Sequence, residues 1–399
     1  LTGAALHADD RTIEDANGDD MANLLLRGGR VIDTVSGHWQ TRDLQVIEGR
    51  IAPSDAPPAA DATVIDVSDA WVAPGFVDLH AHVFSHDLYA AGALTADRIG
   101  INQGVACVVD AGSFGASMAD GFHAHVMATQ HTRVFAFINI GSAGVPHLPG
   151  GHSSRPEYCD LPGVVRAIER HGDWLVGVKI LASQSHTGSF GLDALKLARK
   201  AAELTGRPLM VHLGNPPPII EDVLELMRPG DIATHAYHGK HGGVLGFQDR
   251  VIDAFRAAVA RGVIVDIGHG QASFSFRVCE QALAQGMPIH CISTDLHRGS
   301  LKRPAISLAR TMSKLRAVGL SLMDVVRAVT LTPARAIDIE RHGFGVLAPG
   351  QPARITVFRE HDEPWELEDA EGGRRVAPGR IETLGVVLGD RWHLRSEAL

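Results

Sequence analysis

Eight short β-rich runs recur along the middle of this chain, and that recurrence limits its possible folds more than any other feature. The runs cover residues 76–79, 105–109, 134–140, 176–181, 209–213, 232–234, 263–267 and 289–293. Helical patterns fall between them. Over 192–204, Leu192, Leu195, Leu197, Ala198, Ala201 and Ala202 supply one apolar face, and Gly206 with Pro208 stops the helix. A second helix is predicted over 250–261, ended by Gly262. Strands alternating with helices at roughly 30-residue spacing predict a parallel sheet covered by helices. A count of eight fits closure into an α/β, (β/α)8 TIM-like barrel better than the competing doubly wound sheet.

The two ends of the chain have a different texture. Residues 24–33 read as a hairpin of two apolar strands about Gly28-Gly29, with further strands over 44–51 and 63–67. After His342 the chain turns β-like again, from Gly345 to Phe358 and from Val386 to Arg395. The expected organisation is a barrel over 75–342 and one small β-sandwich domain built from both chain ends, 21–74 and 343–399. Residues 1–20 are polar and acidic and are expected to be disordered or to be a segment added ahead of Met21.

Composition excludes some function classes. The net charge is -9 and no Lys/Arg block stands out, so no nucleic-acid partner is expected. No apolar run is long enough to span a membrane, and no secretory signal is visible. Cys107, Cys159, Cys279 and Cys291 form no C-x-x-C pair and read as reduced thiols of a cytoplasmic protein.

The ends of the strands carry the chemistry, because a barrel of this kind gathers its reactive residues there. His80 and His82 close the first run, and the two-residue period of a strand points both to one side, where two imidazoles can grip a cation. Alone, they read equally well as two surface histidines. His212 ends the fifth run, His235 the sixth, and Asp295 follows the eighth. Each by itself could be a satisfied polar residue at a loop start, but four strand ends agreeing by accident is improbable. Lys179 lies inside the fourth apolar run, where a charge is costly. Burial favours its neutral amine, which can add carbon dioxide to give a carbamate able to bridge two cations. A buried lysine–carboxylate pair is the alternative, and the histidines tip the balance towards the carbamate.

These residues resemble the binuclear amidohydrolase superfamily, in its dihydroorotase- and hydantoinase-like branch. Val72-Ala-Pro-Gly-Phe-Val-Asp-Leu-His-Ala-His82 is similar to the first-strand motif, Gly177-Val-Lys-Ile to the carboxylated-lysine strand, and Val211-His212, Thr234-His235 and Ser293-Thr-Asp295 to the remaining ligand strands in order. Thr330–Ala336 and Gly345–Ala353 resemble the late helix and the return into the β-domain. The resemblance implies that His80, His82 and Asp295 bind the more buried of two divalent metal ions. His212 and His235 would bind the more exposed one, and carboxylated Lys179 and a hydroxide would bridge them. Zinc is the default; manganese, cobalt or iron could substitute. It also implies that Asp295 is the catalytic proton carrier.

Two departures narrow the substrate. Where dihydroorotases resembling this chain place an arginine for the substrate carboxylate, this sequence has Phe84, and no counterpart of the hydantoinase tyrosine follows Lys179. The texture is closer to a deacetylase subgroup that includes esterases of acetylated α-hydroxy acids such as acetyl-mandelate. It shows in Asp110-Ala-Gly-Ser, Phe137-Ile-Asn-Ile-Gly, Tyr237-His-Gly-Lys-His-Gly-Gly and Asp266-Ile-Gly-His-Gly. The expected activity is hydrolysis of an acyl ester or amide of a small carboxylic acid, an acetylated α-hydroxy acid or N-acyl amino acid. A cyclic amidase such as dihydroorotase or hydantoinase is the alternative, and a non-catalytic scaffold is third. Lys240, His238, His241, His269 and Asn215 are the candidate contacts to the substrate carboxylate. The partner is a small-molecule carboxylate, and a homo-oligomer is compatible with the resemblance.

Overall fold

A computed structural model describes residues 10–11, 23–84, 94–145 and 152–396. The expectation for residues 1–20 therefore lies outside the described residues except at Asp10–Arg11 (β1). This pair lies parallel to Val64 and Ile65, so it belongs to a sheet.

Near the start of the chain the strands are Asn23–Asp33 (β2), His38–Ile47 (β3), Arg50–Ile51 (β4), Thr63–Asp66 (β5) and Trp71–Pro74 (β6). Seven more follow: Val77–Ala81 (β7), Cys107–Gly115 (β8), Arg133–Asn139 (β9), Leu175–Ala182 (β10), Leu209–Leu213 (β11), Ile232–Thr234 (β12) and Ile264–Val265 (β13). The last are Arg354–His361 (β14), Trp365–Glu368 (β15), Arg374–Ala377 (β16), Arg380–Leu388 (β17) and Arg391–Leu394 (β18).

Strands β7 to β13 form one parallel sheet in chain order. Every residue of β8 and of β10 is buried, as a parallel sheet covered on both faces requires. The eighth run forms no regular strand, yet it joins the two edges of the sheet. Cys291 bridges Asp266 and Leu296 bridges Ala81, both in the parallel sense. Between these bridges the N–H groups leave the ladder: Ile292 gives its N–H to Ala328 O (3.0 Å) and Thr294 to the Asp78 carboxylate (3.0 Å). Asp295 then takes a left-handed backbone, φ 48°. The result is a curled seven-stranded parallel sheet whose edges meet through this segment, an arrangement consistent with a TIM-like barrel.

A second, nine-stranded mixed sheet draws strands from both ends of the chain in the path β1-β5-β2-β6-β14-β17-β18, with β3 and β4 branching from β2. Strands β6 and β14 are its antiparallel seam, Pro74 opposite Ile355 and Trp71 opposite Phe358. Leu24, Leu26, Val46, Ile65, Val72, Ile355 and Val387 form a buried apolar cluster of its own.

The hairpin expected over 24–33 does not form. β2 runs straight through Gly28-Gly29 as a bulge, and the turn comes later, at 34–37. Gly28 has φ 74° and gives its N–H to Asp43 (2.8 Å), while a Cβ on Gly29 would collide with Val72. The two glycines serve close packing rather than chain reversal. The segment expected to return wholly to the sandwich also divides: β15 and β16 pair only with each other. Arg375 grips Glu280 through two nitrogens (2.6 and 2.7 Å), and Asp369 accepts the Phe276 N–H (2.7 Å), so this pair rests on the barrel.

Candidate metal centre

The barrel delivers its ligand-type side chains to one end. His80 lies in β7 and His82 just beyond it, Lys179 in β10, His212 in β11, His235 directly after β12, and Asp295 on the closing segment. His235 (φ 63°) and Asp295 both hold a left-handed backbone that non-glycine residues rarely adopt. Such strain costs on the order of 1–3 kcal/mol and persists where the surroundings fix it. At Asp295 the fixing bonds are N–H to His80 O (2.6 Å) and the Ser300 hydroxyl to its own carbonyl (3.0 Å).

All six side chains converge. His80 Nε2 lies 3.5 Å, and His82 Nε2 3.2 Å, from Asp295 Oδ1. Lys179 Nζ is 3.5 Å from His80 Nε2. The ring of His235 is 4.9 Å from that of His80 and 4.2 Å from that of His212. His80, His235 and Asp295 each bring a ligand atom within 4.8 Å of the others, which sets His235 beside residues that the resemblance gives to a different cation.

The outer hydrogen bonds fix how these rings are used. His235 Nδ1 donates to the Gly268 carbonyl (2.5 Å), leaving Nε2 as a lone pair. Thr234 gives its hydroxyl proton to Asp266 (2.7 Å), so its oxygen accepts from His80 Nδ1 (2.8 Å). The Nε2 lone pair of His80 therefore faces the Asp295 carboxylate oxygen. Two electron-rich atoms at 3.5 Å repel unless a proton or cation lies between them. This donor set fits divalent metal, with outer partners of the kind that orient ligating histidines.

Burial favours the same protonation states. It holds His80 and His212 well below the ordinary histidine range, helped by Lys179 and by His235 respectively, and lowers His235 to about 3. It lowers Lys179 to about 7 against the pull of Asp295, Asp266 and Asp110. Burial alone would raise the Asp295 carboxyl, but the His82 hydrogen bond and the charges of His235, His82 and His297 bring it below the usual carboxylate range. Lys179 makes no ion pair within 4 Å among the described residues, although the charges of Asp295, Asp266 and Asp110 reach it. Gly112 packs so closely that a Cβ there would sit 2.6 Å from Lys179 Cβ.

The expected substrate contacts fare unevenly. Lys240 is half-buried and its ammonium reaches the Ser273 hydroxyl (3.2 Å). Burial lowers its pKa and Asp295 opposes that, so the two groups feel each other. His238 is buried, and its Nδ1 accepts the Lys240 N–H (3.1 Å), so it supports that loop from beneath. Asn215 and His241 are exposed. His269, read as a substrate contact, is instead fully enclosed: Nδ1 donates to Gly270 O (2.9 Å) and Nε2 accepts from Lys314 (2.8 Å). Phe84 is buried against Phe114 and Phe122.

Sequence reasoning missed Asp266, Thr234 and Lys314. The first carried the same signal as Lys179, an ionisable residue within an apolar run. Thr234→Val keeps the shape but removes the acceptor for His80 Nδ1. Metal affinity should fall about 10- to 100-fold, measured by competition with a chelator; unchanged affinity would remove the orienting role of this hydroxyl.

A family model described as "Amidohydrolase family" matches residues 71–377. A curated deacetylase from Agrobacterium fabrum is 37% identical over 314 residues, 78% of this chain and 76% of that protein. A crystal structure of an adenine deaminase superimposes with a TM-score of 0.86 at 31% identity, covering 93% of this chain and 99% of that one. One of a dihydroorotase gives 0.85 at 34%, covering 94% and 98%.

Proposed function

The chain belongs to the amidohydrolase family, and on that premise we propose that this hydrolase removes an acyl group, held as an ester or amide, from a small carboxylic acid. The deacetylase relative supports acyl transfer to water. The single observation that carries the carboxylic acid is Lys240: its ammonium has the Ser273 hydroxyl as partner, makes no ion pair within 4 Å among the described residues, and lies near enough to Asp295 for their charges to interact.

His80, His82, His212, His235, Asp295 and carboxylated Lys179 would hold two divalent cations, zinc by default. When bound, such cations polarise a carbonyl oxygen and make water acidic enough to attack near neutral pH. The residues of the chain do the rest. Lys240 draws in the substrate carboxylate and so orients the acyl bond towards Asp295. Asp295, ionised and at the rim with its side chain 14% exposed, takes the proton of the attacking water and passes it to the departing alkoxide or amine. The enclosed floor of the site, Lys179 and His80, excludes bulk water.

A panel of acetylated α-hydroxy acids and N-acyl amino acids, set against dihydroorotate, hydantoins and adenine, tests the reading directly. Turnover confined to the ring substrates would overturn it. Lys240→Met should raise KM for acids about 10- to 100-fold, the loss of a charge-assisted hydrogen bond, and leave methyl esters of the same acids unaffected. Equal KM changes for acid and ester would take the carboxylate away from Lys240.

A further inference from the structure

Lys314 is a buried ionisable group that the chemistry above leaves unused. It sits in the Leu308–Ala317 helix and its side chain is wholly enclosed. Its ammonium nitrogen donates to Pro304 O (2.8 Å) and to His269 Nε2 (2.8 Å), both neutral acceptors. It makes no ion pair within 4 Å among the described residues. Burial, then the charge of Arg310 one turn earlier, lowers its pKa to about 7, with Asp369 and Glu368 opposing. An apolar side chain of similar length would fill the same space at smaller desolvation cost, so the lysine is explained by what it holds.

It holds the two loops that flank Asp295. On one side, His269 and Gly270 give their backbone N–H groups to Ser293 O (3.1 Å) and Thr294 O (2.8 Å), the two residues just before Asp295. Gly270, at φ 54°, approaches so closely that a Cβ would run into Asp295 Oδ2. On the other side, Pro304 belongs to the loop that leaves Asp295 and is tied back by Ile306 N–H to Ser300 O (3.1 Å). Ser300 in turn holds the Asp295 carbonyl (3.0 Å). One ammonium thus pins both walls of the slot in which the carboxylate lies.

We infer that Lys314 is a positioning residue for Asp295: acting through His269 and Gly270 on one side and Pro304 on the other, it sets the line along which the carboxylate meets the reacting atoms. The inference rests on the reading of Asp295 as proton carrier. Its basis is geometric, since a displacement of about 1 Å of a reacting group can cost on the order of 100-fold in rate.

The test is Lys314→Met in the metal-replete enzyme, with metal content, kcat, KM and the thermal midpoint measured together. The expected result is full metal content, KM within about twofold of wild type, and kcat lowered about 10- to 100-fold. His269→Leu removes the same brace from its other end, and should reproduce the kcat defect without adding to it in the double variant; it also serves if Lys314→Met fails to fold. A merely structural lysine would lower the thermal midpoint and leave kcat of the folded enzyme intact, and that outcome in both variants overturns the inference. Asp295→Asn, assayed alongside, separates the two layers. If it turns over at the wild-type rate, the proton-carrier reading fails first; if it is dead while Lys314→Met is unaffected, only the positioning role falls.

Discussion

Lys179→Ala is expected to be purified with little bound metal and to show no measurable turnover, with its fold retained. The reasoning starts from cost. A lysine in the middle of a strand whose every residue is buried should destabilise the barrel, and no carboxylate among the described residues pairs with it. Burial brings its amine to about 7, so near neutral pH much of it is unprotonated. That amine is a nucleophile for carbon dioxide: the nitrogen lone pair forms the N–C bond, one proton leaves to solvent, and a carbamate anion results. The anion would supply two oxygens beside His80, whose Nε2 lies 3.5 Å from Lys179 Nζ and whose lone pair otherwise faces the Asp295 carboxylate.

On the proposed reading, removing the side chain removes a ligand and its negative charge together, and metal affinity should collapse. Replacing it also relieves a desolvation cost, so the thermal midpoint of the metal-free protein should not fall as it does for an ordinary core truncation of about 2–5 kcal/mol. Short-chain carboxylic acids, which can enter the space left by the truncation, should restore part of the metal content and activity. In the wild type, metal uptake should weaken as pH drops below about 7, because the protonated amine cannot add carbon dioxide. Full metal content and turnover in Lys179→Ala would end the bridging proposal; metal loading indifferent to carbon dioxide would end the carbamate alone.

The parts of this molecule that were legible in the sequence are those in which one residue reports on itself. His212 ends an apolar run, Lys179 interrupts one, and His80 and His82 share a face by simple alternation; each statement needs only a few neighbours in the chain. What the sequence hid depends on partners far away. Gly28 and Gly29 carry a hairpin signature, but the bulge there is decided by Asp43, Ser68 and Val72. The eighth run has the composition of a strand, but Ile292 gives its N–H to Ala328 O (3.0 Å), and just past the run Asp78 takes the Thr294 N–H. His269 looked like a loop histidine beside the substrate until Lys314, on a helix 45 residues later, claimed its ring. Nothing local to either residue announces that pair.

Asp295→Asn should retain part of its metal, because the amide oxygen can still face a cation, and should lose turnover about 100- to 10,000-fold. The argument separates two duties of one side chain. As a ligand, Asp295 would contribute charge close to His80 and His82, and the amide would keep the oxygen while discarding the charge, so affinity should weaken without vanishing. As a proton carrier it has neighbours, among the described residues, that are otherwise engaged. His80 and His235 have their outer nitrogens committed to Thr234 and Gly268, and Lys179 lies at the closed floor with no exposure. His82 has its Nδ1 on the Ser113 hydroxyl (2.8 Å), and His297 has its Nδ1 on the Asp295 carbonyl (2.9 Å). The wild-type carboxyl is held below the usual range, so the proton-accepting form persists well below neutrality and the base is ready wherever metal is bound. The variant should therefore show a low rate that excess metal does not restore and that is nearly flat with pH around neutrality. The decisive measurement is kcat at saturating metal, where ligation is no longer limiting: wild-type turnover there would mean that Asp295 only binds, and that the proton leaves by another path.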